Sequence, residues 1–270
     1  MLGRGRIEEA VGYADDAQSV IANGRGEVPF GLEGGLGGAY LVIGQPERAV
    51  ERCRTQLARG RDTHTVTRAT LVTALTVAGA GEEARAAANG LIDAAEATHN
   101  PFLLSNALRA YSYAFHDADP VRALEALHRG LAIAQDSGNR GVESHLAMVL
   151  SRLEAERGDP LAALDHITLA IRNFYDSGNV ALIRSALATL AVVLDRLGRL
   201  EPEATIAGFA LNPLTASQLS TVIAHLRDVL GEATYESLAR KGETMTTAAM
   251  VTYAYDQIDQ SRTKLNAVSK

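Results

Sequence analysis

Residues 119–139 read DPVRALEALHRGLAIAQDSGN, and residues 159–179 read DPLAALDHITLAIRNFYDSGN, so one phrase returns 40 residues later (119 to 159). In the first copy, Leu124, Leu127 and Leu131 follow at intervals of three and four, which is one face of a helix. Aspartate caps a helix start, and proline fits the first turn. Glycine in the closing Ser-Gly-Asn supplies the left-handed conformation that ends a helix. Each phrase therefore predicts one helix together with both of its ends.

Shorter forms of the opening Asp-Pro-x-x-Ala segment, which we call the mark, recur along the chain. The alanine that registers each mark is separated from the next by 39, 35, 39, 40 and 41 residues: Ala10, Ala49, Ala84, Ala123, Ala163 and Ala204. A period in this range indicates a stack of helical hairpins. The helices that precede the marks are predicted at about 63–78, 101–116, 141–157 and 180–197. The helix that follows the mark at Ala84 is predicted over about 82–97. The pattern resembles tetratricopeptide repeats stretched beyond their usual length, and it predicts an all-α, helical-hairpin superhelix.

The two ends of the chain depart from this period. Residues 6–22 form a predicted helix without a preceding partner, and we expect it to drive self-association. The next predicted helix, 28–43, is rich in glycine, which indicates either low stability or a close helix approach through Gly31, Gly35 and Gly38. After Ala204 the period ends, so we predict a repeat array over 1–211 and a C-terminal helical cap over 212–270.

Composition excludes several functional classes. The net charge of −6 lacks the basic footprint of a nucleic-acid-binding protein, so we expect no nucleic acid partner. A single cysteine, Cys53, fits a reducing cytoplasm. The sequence has no apolar run long enough to span a membrane. The glycines at 31–38 lack the Gly-Lys-Ser/Thr ending of a nucleotide loop, and the histidines lack zinc-site spacing, so we predict no cofactor and no metal.

The helices that precede the marks can be aligned by the turn residue that lies before each helix. In this alignment polar side chains form columns, which means that they occupy matching positions in successive helices. The candidate binding residues in these columns and beside them are Ser105, Asn106, Arg109, Tyr113, Ser144, His145 and Arg184. In a helical-hairpin solenoid these helices line the concave side, where a peptide or small ligand would lie. The alternative interpretation is hydrogen bonding between neighbouring repeats.

The C-terminal sequence carries a more specific resemblance. Gly198-Arg-Leu-Glu-Pro-Glu-Ala and the later Leu230-Gly-Glu-Ala-Thr-Tyr-Glu-Ser-Leu-Ala-Arg-Lys-Gly-Glu look like the tail of actinobacterial signalling ATPases. In that family an ATPase module precedes a tetratricopeptide-like array. Some members begin with a nucleotide cyclase domain, and others end in a LuxR-type DNA-binding domain. The catalytic motifs of the family have no counterpart in this sequence, so no catalytic residue is carried over.

We therefore expect a non-catalytic regulatory scaffold that senses a protein partner or a small-molecule effector. It would be part of, or derived from, a larger ATPase-type transcriptional or cyclase regulator. Two alternatives stay open at this point: a DNA-binding regulator that reads through residues 216–260, and a fragment of an enzyme with ATPase or cyclase activity.

Overall fold

The amphipathic periods of the sequence appear as helices. The computed structural model describes residues 32–58, 65–157, 159–212 and 215–268, with single positions between 9 and 23. Across these ranges every regular element is a helix, and no strand occurs. The helices are α1 Leu32–Val42, α2 Pro46–Ala58, α3 Val66–Val77, α4 Gly81–Ala88, α5 Leu91–Glu96, α6 Pro101–Phe115, α7 Pro120–Asp136, α8 Arg140–Arg157, α9 Pro160–Asp176, α10 Val180–Arg196, α11 Leu200–Ala210, α12 Ala216–Leu230, α13 Glu232–Glu243 and α14 Thr247–Val268.

The repeated turns act as the sequence predicts. Asp119 and Asp159 each accept a hydrogen bond of 3.1 Å from the backbone N–H three residues further on. Gly138 and Gly178 have φ angles of 68° and 66°. The asparagine after each of these glycines accepts a bond of 3.2 Å from the first turn of the next helix. These contacts satisfy backbone groups that a helix end leaves without a partner, and the predicted helix ends are confirmed.

The chain divides into two compact units, and the main boundary lies within α8, between Leu146 and Ala147. In the first unit, α6 packs on α3 and α7. Gly130 of α7 lies so close to α6 that an added Cβ would be 3.3 Å from the Cβ of Leu108. Leu91, Leu108 and Leu127 are among the fully buried side chains of this unit. The division into two units does not test the predicted boundary between repeat array and cap at residue 212, which stays a prediction.

In the second unit, α11 packs on both α10 and α13. Hydrogen bonds from two arginines connect the long helix α14 to other helices of this unit. Arg199 donates to Gln257 at 2.8 Å and to Ser261 at 3.0 Å, and Arg262 donates to Asp165 at 2.7 Å. Because these bonds join residues far apart in sequence, they fix α14 against α9 and the start of α11.

Two local predictions need correction. The helix predicted over about 82–97 is two helices, because Gly90 adopts a left-handed conformation with φ of 69° between α4 and α5. In α1 the close approach is made by Gly37, where an added Cβ would be 2.9 Å from Cys53 Sγ. Gly35 and Gly38 face open space, with no atom within 4 Å of an added Cβ.

Some predictions fall outside the described residues. The helix predicted over 6–22 is described only at single positions, and Gly31 is not described. Self-association through that helix therefore stays a prediction. Among the described residues, no helix combines the length and the apolar character needed to cross a membrane.

Candidate functional site

Three of the predicted residues form a line of half-buried polar side chains along α6. Asn106, Arg109 and Tyr113 are spaced by three and four positions, so they share one face of the helix. Arg109 Nη2 donates to Asn106 Oδ1 at 2.8 Å. The Arg109 Cζ atom lies 5.5 Å from the centre of the Tyr113 ring, within the range of a cation–π contact. The guanidinium is thus held along the helix by one neutral partner on each side.

His145 of α8 belongs to the same neighbourhood. Burial lowers the pKa of His145, the positive charge of Arg109 lowers it further, and a hydrogen bond to Gly141 opposes both. The imidazole Nδ1 lies 2.8 Å from the Gly141 carbonyl oxygen. Since a carbonyl oxygen only accepts, the neutral ring carries its proton on Nδ1.

We call Asn106, Arg109, Tyr113 and His145 the polar face. Its groups are a guanidinium that pairs with no carboxylate of the described residues, an amide, a phenol, and an imidazole held towards its neutral form. Such a set can hold a carbonyl or an anion by hydrogen bonds. The arrangement is therefore suited to recognition.

Arg109 makes contacts of a different kind from those of several arginines in the first unit. Four of them form ion pairs with carboxylates: Arg48 with Asp15, Arg54 with Glu83, Arg122 with Asp119 and Arg129 with Glu96. No carboxylate of the described residues forms an ion pair with Arg109, whose polar contact is the neutral amide of Asn106. Its charge therefore remains available to a ligand.

The two predicted serines lie inside the helix packing. Ser105 is 0% exposed and Ser144 is 1% exposed. The Ser144 hydroxyl donates to the Arg140 carbonyl at 2.6 Å, while Ser105 Oγ has no hydrogen-bond partner among the described residues. Neither hydroxyl reaches the surface of the polar face. In α3 the positions that align with Asn106 and Arg109 are Leu71 and Ala74, which are apolar and buried, so the columns of Asn106 and Arg109 do not continue onto that helix.

Arg184 lies in the second unit, where its contacts are directed to α11. Its guanidinium donates to the backbone carbonyl of Phe209 and lies 4.4 Å from the centre of the Phe209 ring. Arg184 thus joins α10 to α11.

Sequence reasoning missed one unusual group, Glu203 of α11. The residue is 0% exposed, and neither carboxylate oxygen has a hydrogen-bond partner among the described residues. Burial, with a smaller effect from the negative charge of Asp195, raises the pKa of Glu203 from 4.5 to about 9. Asp195 itself lies 2.6 Å from His225 Nδ1. An acid in the first turn of a helix looks ordinary in a sequence, so no local signal marks this one as buried.

Comparison with known proteins gives no family. No protein-family model matches this chain, and no curated protein matches it. Function therefore has to be inferred from the residues themselves.

Proposed function

We propose that this chain is a non-catalytic regulatory module that senses a protein partner or a small-molecule effector through the polar face. The observation that carries the proposal is Arg109, positioned by Asn106 and Tyr113 and not paired with any carboxylate of the described residues. A half-buried charge with a fixed geometry costs little ordering free energy when a ligand binds. Such a group is better suited to recognition than to holding the fold together.

In this proposal the helical hairpins stack as a tetratricopeptide-like superhelix, with the polar face on its concave side. Support comes from the repeated caps, which give successive hairpins the same turn geometry. Neighbouring repeats of that kind form one continuous surface. The C-terminal helices would cap the array.

The proposed setting is the cytoplasm, within or beside an actinobacterial signalling ATPase. The setting rests on the resemblance of the segments that begin at Gly198 and Leu230, and on the single buried cysteine, Cys53. The module would pass ligand binding to an output domain through small rotations between repeats.

The test is a screen followed by nuclear magnetic resonance on the full chain. An array of peptides of about ten residues, with acidic, basic and neutral members, and a set of metabolites would be titrated. We expect at least one ligand to shift the resonances of Arg109, Tyr113 and His145 together. Tight, magnesium-dependent ATP binding, or ligands that shift only resonances elsewhere, would contradict the proposal.

A further inference from the structure

The first unit contains a second place suited to a ligand, separate from the polar face. An open cleft of about 350 Å³ lies where α5 ends, α6 begins and α7 passes. Ala95, Pro101, Leu104 and Ile133 provide its apolar lining. The volume is at the lower end of the range for small-molecule sites. A ligand in it would therefore be small, with an apolar part in contact with these four residues.

Two opposite charges line the same cleft. Glu96 at the end of α5 and Arg129 of α7 form an ion pair, with side chains 43% and 49% exposed. An ion pair that exposed contributes little to stability, because water screens it. A ligand that carries both charges can separate the two partners and replace one ion pair by two. The cleft thus presents one acceptor and one donor beside an apolar lining.

The turn that borders the cleft contains His99, one of two non-glycine residues with a left-handed backbone in the described ranges; the other is Thr65. His99 has a left-handed backbone with φ of 52°, and its side chain lines the cleft. In the corresponding turns the left-handed residues are Gly138 and Gly178. A residue with a Cβ is strained in this conformation, whereas glycine is not. The backbone of His99 is therefore strained at the turn that borders this cleft, and the His99 side chain is part of the cleft lining.

We propose that the cleft binds a free α-amino acid with an apolar side chain. The ammonium group pairs with Glu96, the carboxylate pairs with Arg129, and the side chain packs on Leu104 and Ile133. His99 contributes a ring nitrogen as a further hydrogen-bond partner at the rim. An internal peptide residue is excluded, because it lacks both the ammonium and the carboxylate on one carbon.

Calorimetric titration of the full chain with L-leucine tests this site. We expect saturable binding of leucine and at least tenfold weaker binding of leucinamide, of N-acetylleucine and of alanine. Each analogue lacks one of the three groups that the cleft contacts. Absence of saturable heat up to about 10 mM leucine would overturn the proposal. Equal binding of leucine and leucinamide, or of leucine and N-acetylleucine, would also overturn it.

Variants locate the binding. Glu96→Gln and Arg129→Gln should each weaken leucine binding at least tenfold. Arg122→Gln, on the same helix but paired with Asp119, should leave it unchanged. His99→Gly should weaken leucine binding while the melting temperature stays level or rises, because the turn loses its strain. Leucine binding that survives in Arg129→Gln would rule out this cleft.

The result is distinguishable from a test of the polar face. Arg109→Gln should leave leucine affinity unchanged, since Arg109 does not line the cleft. Loss of leucine binding in Arg109→Gln would contradict the assignment of leucine to this cleft. Failure of leucine to bind at all would leave the proposal for the polar face standing.

Discussion

Polar side chains have opposite environments on α6, which carries most of the polar face, and on the buried helix α11. On α6, Arg109 is half-buried and held by neutral partners. On α11, Glu203 is fully enclosed, and neither carboxylate oxygen has a hydrogen-bond partner among the described residues. The residues from Glu203 to Ala210 are all buried. We therefore expect substitutions on α6 to alter ligand binding and to leave the free energy of unfolding nearly unchanged. Substitutions on α11 should alter the free energy of unfolding.

The largest expected effect is at the crossing of α11 and α13. An added Cβ on Gly242 would lie 1.9 Å from the backbone oxygen of Thr205. Since backbone cannot give way as a flexible side chain does, we expect Gly242→Ala to reduce the free energy of unfolding by about 3 kcal/mol or more. Urea denaturation, followed by circular dichroism, measures this change.

Gly38 of α1 is the matched control. It is a helical glycine with nothing within 4 Å of an added Cβ. Gly38→Ala should therefore raise the free energy of unfolding by up to about 1 kcal/mol. Equal changes in the free energy of unfolding for Gly242→Ala and Gly38→Ala would contradict the close packing of α11 on α13.

The next effect is a pH dependence that arises from Glu203. The folded state keeps this carboxyl protonated up to about pH 9, whereas the ordinary pKa is 4.5. Its contribution to stability is fully present below pH 4.5 and is lost as pH rises towards 9. The expected slope approaches about 1.4 kcal/mol per pH unit within that window.

Glu203→Gln isolates this contribution, because a neutral amide does not titrate. We expect the variant to be less sensitive to pH than the wild type between about pH 5 and pH 8, and more stable at the upper end. Unfolding by urea at several pH values gives both curves. Parallel curves would show that Glu203 is not held protonated.

The smallest effect on stability is expected on the polar face. Arg109→Gln should change the free energy of unfolding by no more than about 0.5 kcal/mol, as at other surface positions. The same change should raise the pKa of His145, because the charge of Arg109 lowers it. Titration of the His145 ring protons by nuclear magnetic resonance measures this shift. An unchanged pKa would mean that the two side chains are not coupled, and Arg122→Gln serves as the surface control.

Local chemistry explains which parts of the fold could be predicted. Helix ends such as those at Asp119 and Gly138 depend on residues within one turn, so the sequence contains the whole signal. The break at Gly90 was missed because a glycine inside an amphipathic pattern can remain helical. The residue that makes the close approach in α1 is Gly37, because helix rotation is set by packing on α2 and α3.

Only part of the candidate site could be predicted from the sequence. Asn106, Arg109 and Tyr113 share a helix face, which periodicity alone gives. That Ser105 and Ser144 face inwards depends on tertiary packing, and a column alignment does not specify which column is buried. Glu203 illustrates the same limit, because α11 packs on α13 as well as on α10, and α13 is distant in sequence from Glu203.

The double variant Arg109→Gln/His145→Gln tests the central claim most directly. Its affinity for the best ligand from the peptide and metabolite screen would be measured beside its melting temperature. We predict at least a tenfold loss of affinity with a nearly unchanged melting temperature. Unaltered affinity, or a collapse of the melting temperature along with binding, would contradict the account of the polar face as a recognition surface.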